Sequence, residues 1–196
     1  MRFSSKERKH ISPRKQSDLD GGLLLAAEQG SAEMVQGLLA NGANVHAEND
    51  SPLRLAALNG YTETVKVLLA AGADVHVHND HALCVAAENG HTESVKTLAT
   101  GADVHASDDD ALYSAARNGH TDTVRALLAA GANVHADDDL ALRWASFGGH
   151  AETVQMLLMA GANVHADNDD AMCSAVYYGK AEMVQLLTQH IFAPES

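Results

Sequence analysis

A chain of 196 residues is long enough for one large domain or two small ones. Its apolar share of 46% is ordinary, but only 4% of residues are aromatic and the apolar set is mostly Ala, Leu and Val, which suits a stack of short helices better than a thick core. The net charge of −13 is uneven: residues 1–18 hold six of the thirteen basic side chains (Arg2, Lys6, Arg8, Lys9, Arg14, Lys15) against two of the 26 acids, leaving seven bases and 24 acids for the rest. A body this acidic repels nucleic-acid backbones and anionic membranes.

The N-terminus has charges but no apolar core of a signal peptide, and no run approaches the ~20 apolar residues of a membrane span. A cytoplasmic protein is expected. Residues 1–18 read as a disordered basic tail, rich in Ser, Lys and Arg. Within it, Ser12-Pro13-Arg14-Lys15 fits a proline-directed phosphorylation site, and the basic cluster fits a nuclear address. The plainer reading is a short solvated tail.

From residue 19 to residue 192 the chain repeats. Gly-Ala-(Asn/Asp)-Val-His starts at Gly42, Gly72, Gly101, Gly131 and Gly161, at spacings of 30, 29, 30 and 30 residues. A period of this size means a stacked solenoid in which each unit buries its apolar face against its neighbours. Six units align. Each opens with a first helix carrying an Ala-Ala pair or a variant of it: Ala26-Ala27, Ala56-Ala57, Ala86-Ala87, Ala115-Ala116, Ala145-Ser146 and Ala175-Val176. A glycine three to four residues later ends that helix. The second helix has an acid in its first turn in every unit (Glu33, Glu63, Glu93, Asp122, Glu152, Glu182), which complements the helix dipole. Its apolar residues fall at i, i+3, i+4, as in Val124, Leu127 and Leu128.

Asp- and Asn-rich turns join the units, and their acids are expected to cap the helices that follow, with Ser51-Pro52 the cleanest cap. Unit three is one residue short near Leu98-Ala99-Thr100, which predicts a shortened second helix and a weak joint. Unit six carries Thr188 where inner units carry Leu, and ends in Gln189-His190, as a solvent-facing cap would. Residues 193–196 form a C-terminal tail.

Helix, turn, helix, then Gly-Ala-Asp-Val and a loop resembles the ankyrin repeat, and Gly90-His91-Thr92-Glu93-Ser94-Val95 resembles that family's Gly-His-x-x-Val helix start. The resemblance implies an all-α, ankyrin-type helix-turn-helix solenoid of six stacked repeats. The units depart from the ~33-residue norm. Only Ser51-Pro52-Leu53 keeps part of the Thr-Pro-Leu-His opening, and the stretch Val134–Leu142 is about three residues short, so a tight Asp-rich turn should replace the long hairpin.

The resemblance also implies a partner protein bound along the first-helix and turn face. Residues just after the Ala pair (Leu58, Glu88, Arg117, Phe147, Tyr177) and one helical turn earlier (Arg54, Cys84, Tyr113, Arg143, Cys173) are i, i+4 neighbours on one face. They gather Arg, Tyr and Phe, the residue types that binding hot spots favour. Candidate contacts are Arg54, Leu58, Glu88, Tyr113, Arg117, Arg143, Phe147 and Tyr177; Trp144 reads as a gap-filler between helices.

Five turn histidines (His46, His76, His105, His135, His165) and the cluster His76, His78, His81 raise the question of a cation. Equivalent positions in adjacent units stand roughly 10 Å apart, while two nitrogens on one zinc lie within about 4 Å. The turn histidines are therefore read as structural, and weak cation binding by the His/Asp-rich turns is a distant alternative. No catalytic motif is present, neither cysteine sits in one, and no cofactor or metal is implied. Cys84 and Cys173 read as small apolar filler, three units and about 25–30 Å apart, too far for a disulfide. The expected function is a non-enzymatic interaction module, monomeric at neutral pH. As the twelve histidines protonate, the net charge falls toward zero and self-association sets in at mildly acidic pH. A self-assembling structural element, packing through stack ends or acidic turns, is the alternative.

Overall fold

The computed structural model describes residues 12–192, which form twelve helices and no strand. The helices pair into six units: α1 (Pro13–Glu28) with α2 (Ala32–Ala40), α3 (Ser51–Leu58) with α4 (Thr62–Ala70), α5 (Val77–Glu88) with α6 (Thr92–Leu98), α7 (Ala106–Arg117) with α8 (Thr121–Ala129), α9 (Ala136–Gly148) with α10 (Ala151–Met159), and α11 (Ala166–Tyr177) with α12 (Ala181–Ile191). First helices pack on first helices and second helices on second helices, in two parallel rows.

The core is a column, not a centre. Leu23, Leu53, Leu83, Leu112 and Leu142 of the first helices are buried, as are Val35, Val65, Val95, Val124 and Val154 of the second. The alanine pairs lie between neighbouring first helices, where small side chains let the backbones approach closely. Their burial is the apolar area that holds each unit to the next.

α1 begins at Pro13, so Pro13–Asp18, read from sequence as tail, is helical. Pro at the first helical position has its φ already set. The Gln16 amide then donates to Asp20 Oδ1 at 2.7 Å and to the Gly42 carbonyl at 3.1 Å, tying this turn to the body. The rest of the basic tail and the C-terminal tail lie outside the described residues.

The turns are tighter than ordinary hairpins and left-handed. Three consecutive residues take positive φ in each: Glu48 to Asp50, His78 to Asp80, Ser107 to Asp109, Asp137 to Asp139 and Asp167 to Asp169. In α5, α7, α9 and α11 these residues fall within the stated bounds, and the regular right-handed helix starts only after them. Such backbone costs roughly 1–2 kcal/mol per residue, least for Asn and Asp, whose short side chains bond locally. Twelve of these fifteen residues are Asn or Asp, in keeping with that preference. Their acids do not cap the following helix as expected. Asp50, the residue before α3, makes no side-chain cap bond, and the Ser51 hydroxyl donates back to the Glu48 carbonyl at 2.7 Å. The carboxylates serve the neighbouring turn instead, as described below.

Unit three is shortened as its length predicts. α6 has seven residues where α2, α4, α8 and α10 have nine. Gly42, Gly72, Gly131 and Gly161 take positive φ after their helices; Gly101 does not, because the missing residue removes the left-handed step. The capping of unit six is only half as expected. The Thr188 hydroxyl bonds within its own helix, to the Val184 carbonyl, but Val176, Tyr177, Tyr178 and Phe192 are all exposed.

Candidate functional site

Each turn histidine is spent on one carboxylate. His46 Nδ1 meets Asp50, His76 meets Asp80, His105 meets Asp109, His135 meets Asp139 and His165 meets Asp169, all at 2.5–3.2 Å on Oδ1. A carboxylate only accepts, so Nδ1 carries the proton. The inner aspartates are buried, and the same Oδ1 accepts a backbone N–H from the next turn: Asp74 on Asp50 at 2.9 Å, Asp103 on Asp80 at 3.1 Å, Asn133 on Asp109 at 2.7 Å, Asn163 on Asp139 at 2.8 Å. Along this edge the acids stitch turn to turn. Among the described residues no three His, Cys, Asp or Glu side chains converge as metal ligands. His78 and His81 are exposed.

A second set of histidines stitches the other edge. His91, His120 and His150 present Nε2 to the carbonyls of Leu58, Glu88 and Arg117 in the preceding unit, each at 3.0 Å. A carbonyl also only accepts, so here Nε2 is the protonated nitrogen. Each ring lies flat over the glycine of the preceding unit. A Cβ at Gly119 would stand 2.5 Å from the His150 ring, so glycine is obligatory on space as well as on φ. Between the two edges, hydroxyls pair across junctions: Thr62 with Ser94, Thr92 with Thr123, Thr121 with Thr153. Ala32 offers no hydroxyl, which accounts for Thr64 Oγ1 being buried without a partner.

With both edges committed to structure, the varied positions of the first helices stand out. Five aromatic rings form a continuous edge-to-face chain across units four to six. Tyr113 meets Trp144 at 6.2 Å, Trp144 meets Phe147 at 5.2 Å, Phe147 meets Tyr178 at 4.9 Å, and Tyr178 meets Tyr177 at 4.9 Å between centroids. Such pairs contribute roughly 0.5–1.5 kcal/mol beyond area burial. Arg117 lies over Trp144, its guanidinium carbon 5.3 Å from the ring centroid. A cavity of about 240 Å³ opens beside the chain, lined by Arg143, Trp144, Phe147, Asp170 and Ser174.

The eight sequence candidates divide accordingly. Tyr113, Arg117, Phe147 and Tyr177 belong to the aromatic chain, the last three exposed. Arg143 lines the cavity, but its guanidinium is held by Asp167 at 2.5 Å and Asp170 at 3.0 Å, so its charge is already balanced. Arg54 is half-buried and donates to Ser51 Oγ at 3.2 Å; Leu58 and Glu88 are exposed in units two and three, apart from the chain. Trp144 and Tyr178 were missed. Trp144 is a gap-filler in part, yet it is the ring that joins Tyr113 to Phe147, and its i, i+3 spacing to Phe147 was the available signal. The two cysteines, grouped as equivalent filler, differ: Cys84, in an inner unit, is buried, while Cys173, in the last described unit, is exposed. Burial, then the neighbouring Asp110, push the Cys84 thiol up to about 12.

No described helix is long and apolar enough to cross a membrane. Comparison with curated proteins finds no match to the chain. A family model for ankyrin repeats (3 copies) matches residues 23–108 and again residues 83–168. These stretches span most of the helix pairs described above, and the chain belongs to the ankyrin-repeat family.

Proposed function

We propose that this chain is an interaction module that holds a partner protein against its first-helix and turn face, with the contact centred on units four to six and no chemical step of its own. Ankyrin repeats are in general protein–protein interaction modules. The observation that carries the reading is the aromatic chain from Tyr113 to Tyr177 with Arg117 beside it, in a protein with only 4% aromatic residues. Exposed aromatics and Arg around a small cavity are the composition of an interface hot spot. The acidic turns repel nucleic acid and favour partners with basic surface. Two unpaired cysteines are in keeping with a reducing compartment, so the partner is sought in the cytoplasm, or in the nucleus if the basic tail acts as an address.

The test places a photo-crosslinking amino acid at Tyr177 and, in a second variant, at Gln155 on the opposite row. The expected result is one protein captured at 177 and not at 155, with capture reduced about tenfold or more by Phe147→Ala. Equal capture at both positions, or capture unaffected by Phe147→Ala, overturns the reading.

A further inference from the structure

The two ends of the stack match each other in the way its internal junctions match. At every internal junction the second residue of the alanine pair is covered by the next unit: Ala27, Ala57, Ala87, Ala116 and Ser146 are all 0% exposed. Val176 occupies that place in unit six and is 59% exposed, a larger apolar side chain with nothing described over it. Nothing lies within 4 Å of a Cβ built on Gly179, whereas the same glycine in the preceding units is covered by Tyr61, His91, His120, His150 or Lys180. Asp169 is 52% exposed where its inner equivalents are 6%.

The opposite end carries the complement. Met34 of unit one is 51% exposed and Leu25 is 52% exposed. The hydroxyl pairs fix the register: the first residue of one second helix meets the third residue of the next. At the junction of units five and six this sets Ala151 against Met183, which is buried. Unit one and unit six share one pentapeptide at this place, Ala32-Glu33-Met34-Val35-Gln36 and Ala181-Glu182-Met183-Val184-Gln185, and no other unit has Met there. Stacking unit one on unit six therefore pairs Met34 with Ala181, the same couple that already packs inside the protein. The Tyr113–Trp144 contact gives the register of the first helices, and by it Leu25 falls on the exposed Cys173.

We propose that copies of this chain stack head to tail, the leading face of unit one on the trailing face of unit six, extending the solenoid from molecule to molecule. Such a contact is heterologous and does not close on itself, so it makes linear assemblies of no fixed number. It uses the ends of the stack and leaves the aromatic chain of units four to six free for a partner. Ser31 stands where inner units place a ring or a lysine over the glycine, so the intermolecular junction is weaker than the internal ones and association is reversible.

The test is sedimentation of the full chain across a wide concentration range, for the wild type, Met34→Lys and Val176→Glu. Both substitutions fall on exposed side chains, and circular dichroism checks that each variant is folded. The wild type is expected to grow beyond two copies as concentration rises, and each variant alone to stay monomeric. An equal mixture of the two variants retains one intact leading face and one intact trailing face, and is expected to stop at a pair. A wild type that remains monomeric or stops at two copies, variants that associate like the wild type, or a mixture that fails to pair would each overturn head-to-tail stacking.

Discussion

Asp139 Oδ1 accepts the backbone N–H of Asn163, 24 residues ahead, at 2.8 Å, while His135 Nδ1 reaches the same oxygen at 3.1 Å. Asp139 is buried with φ of 56°, beside Asp138 at 53°. Replacing it with Ala leaves the Asn163 amide without its acceptor and puts a residue with no stabilising side chain into left-handed backbone. The expected loss is about 1–3 kcal/mol. Asp139→Asn keeps an oxygen and tolerates the backbone, so it should cost less, and His135→Ala, on an exposed ring, less again. Urea titrations of the three variants give the order.

Two glycines should respond with opposite sign. Gly119 has φ of +73° and the His150 ring over it, so Gly119→Ala is expected to destabilise by about 1–3 kcal/mol. Gly37 lies inside α2 with nothing within 4 Å of a new Cβ, so Gly37→Ala is expected to stabilise by about 0.5–1 kcal/mol. Thermal melts of both variants check the contrast.

The second helix of unit three has lost both length and its left-handed glycine. Among the inner units its amides, residues 92–102, are expected to exchange first. Native-state hydrogen exchange resolves this, since a solenoid opens unit by unit according to local stability. Protection equal to that of units two and four would mean that packing by Val95 and Leu98, both buried, outweighs the missing turn.

The two thiols should differ in reactivity. With Cys84 pushed up to about 12 by burial and by Asp110, a disulfide reagent at mildly alkaline pH is expected to label Cys173 rapidly and Cys84 only on unfolding. The raised value also fixes a direction for stability. The folded state holds the thiol proton more tightly than the unfolded chain, whose ordinary value is 9.0. The contribution is therefore whole below pH 9 and is lost as pH rises toward 12. Melts of the wild type should fall more steeply over that window than those of Cys84→Ala.

The repeat was legible because its signals are local. Gly-Ala-Asn-Val-His at 131–135 marks a helix end, and Val154, Leu157 and Leu158 mark a face, within a few residues. The function of the turn acids was not, because Asp139 bonds to the backbone of a residue one unit away. The candidate face was half legible. Phe147 and Tyr177 follow from their helical positions, but that Trp144 links Tyr113 to Phe147 depends on how closely two first helices approach. That Arg143 is already neutralised depends on Asp167 and Asp170 of the next unit. Each of these three misses is a contact across a junction.

The paired edges, carboxylates to amides on one side and imidazoles to carbonyls on the other, also make this protein a spring with its elements in series. Tension applied to its two ends passes undivided through every junction, so none can shelter another. Extension then comes by release of single units, each paying out a contour length of about 100 Å for some thirty residues. The first to let go under load is unit three, whose second helix is two residues shorter than those of its neighbours.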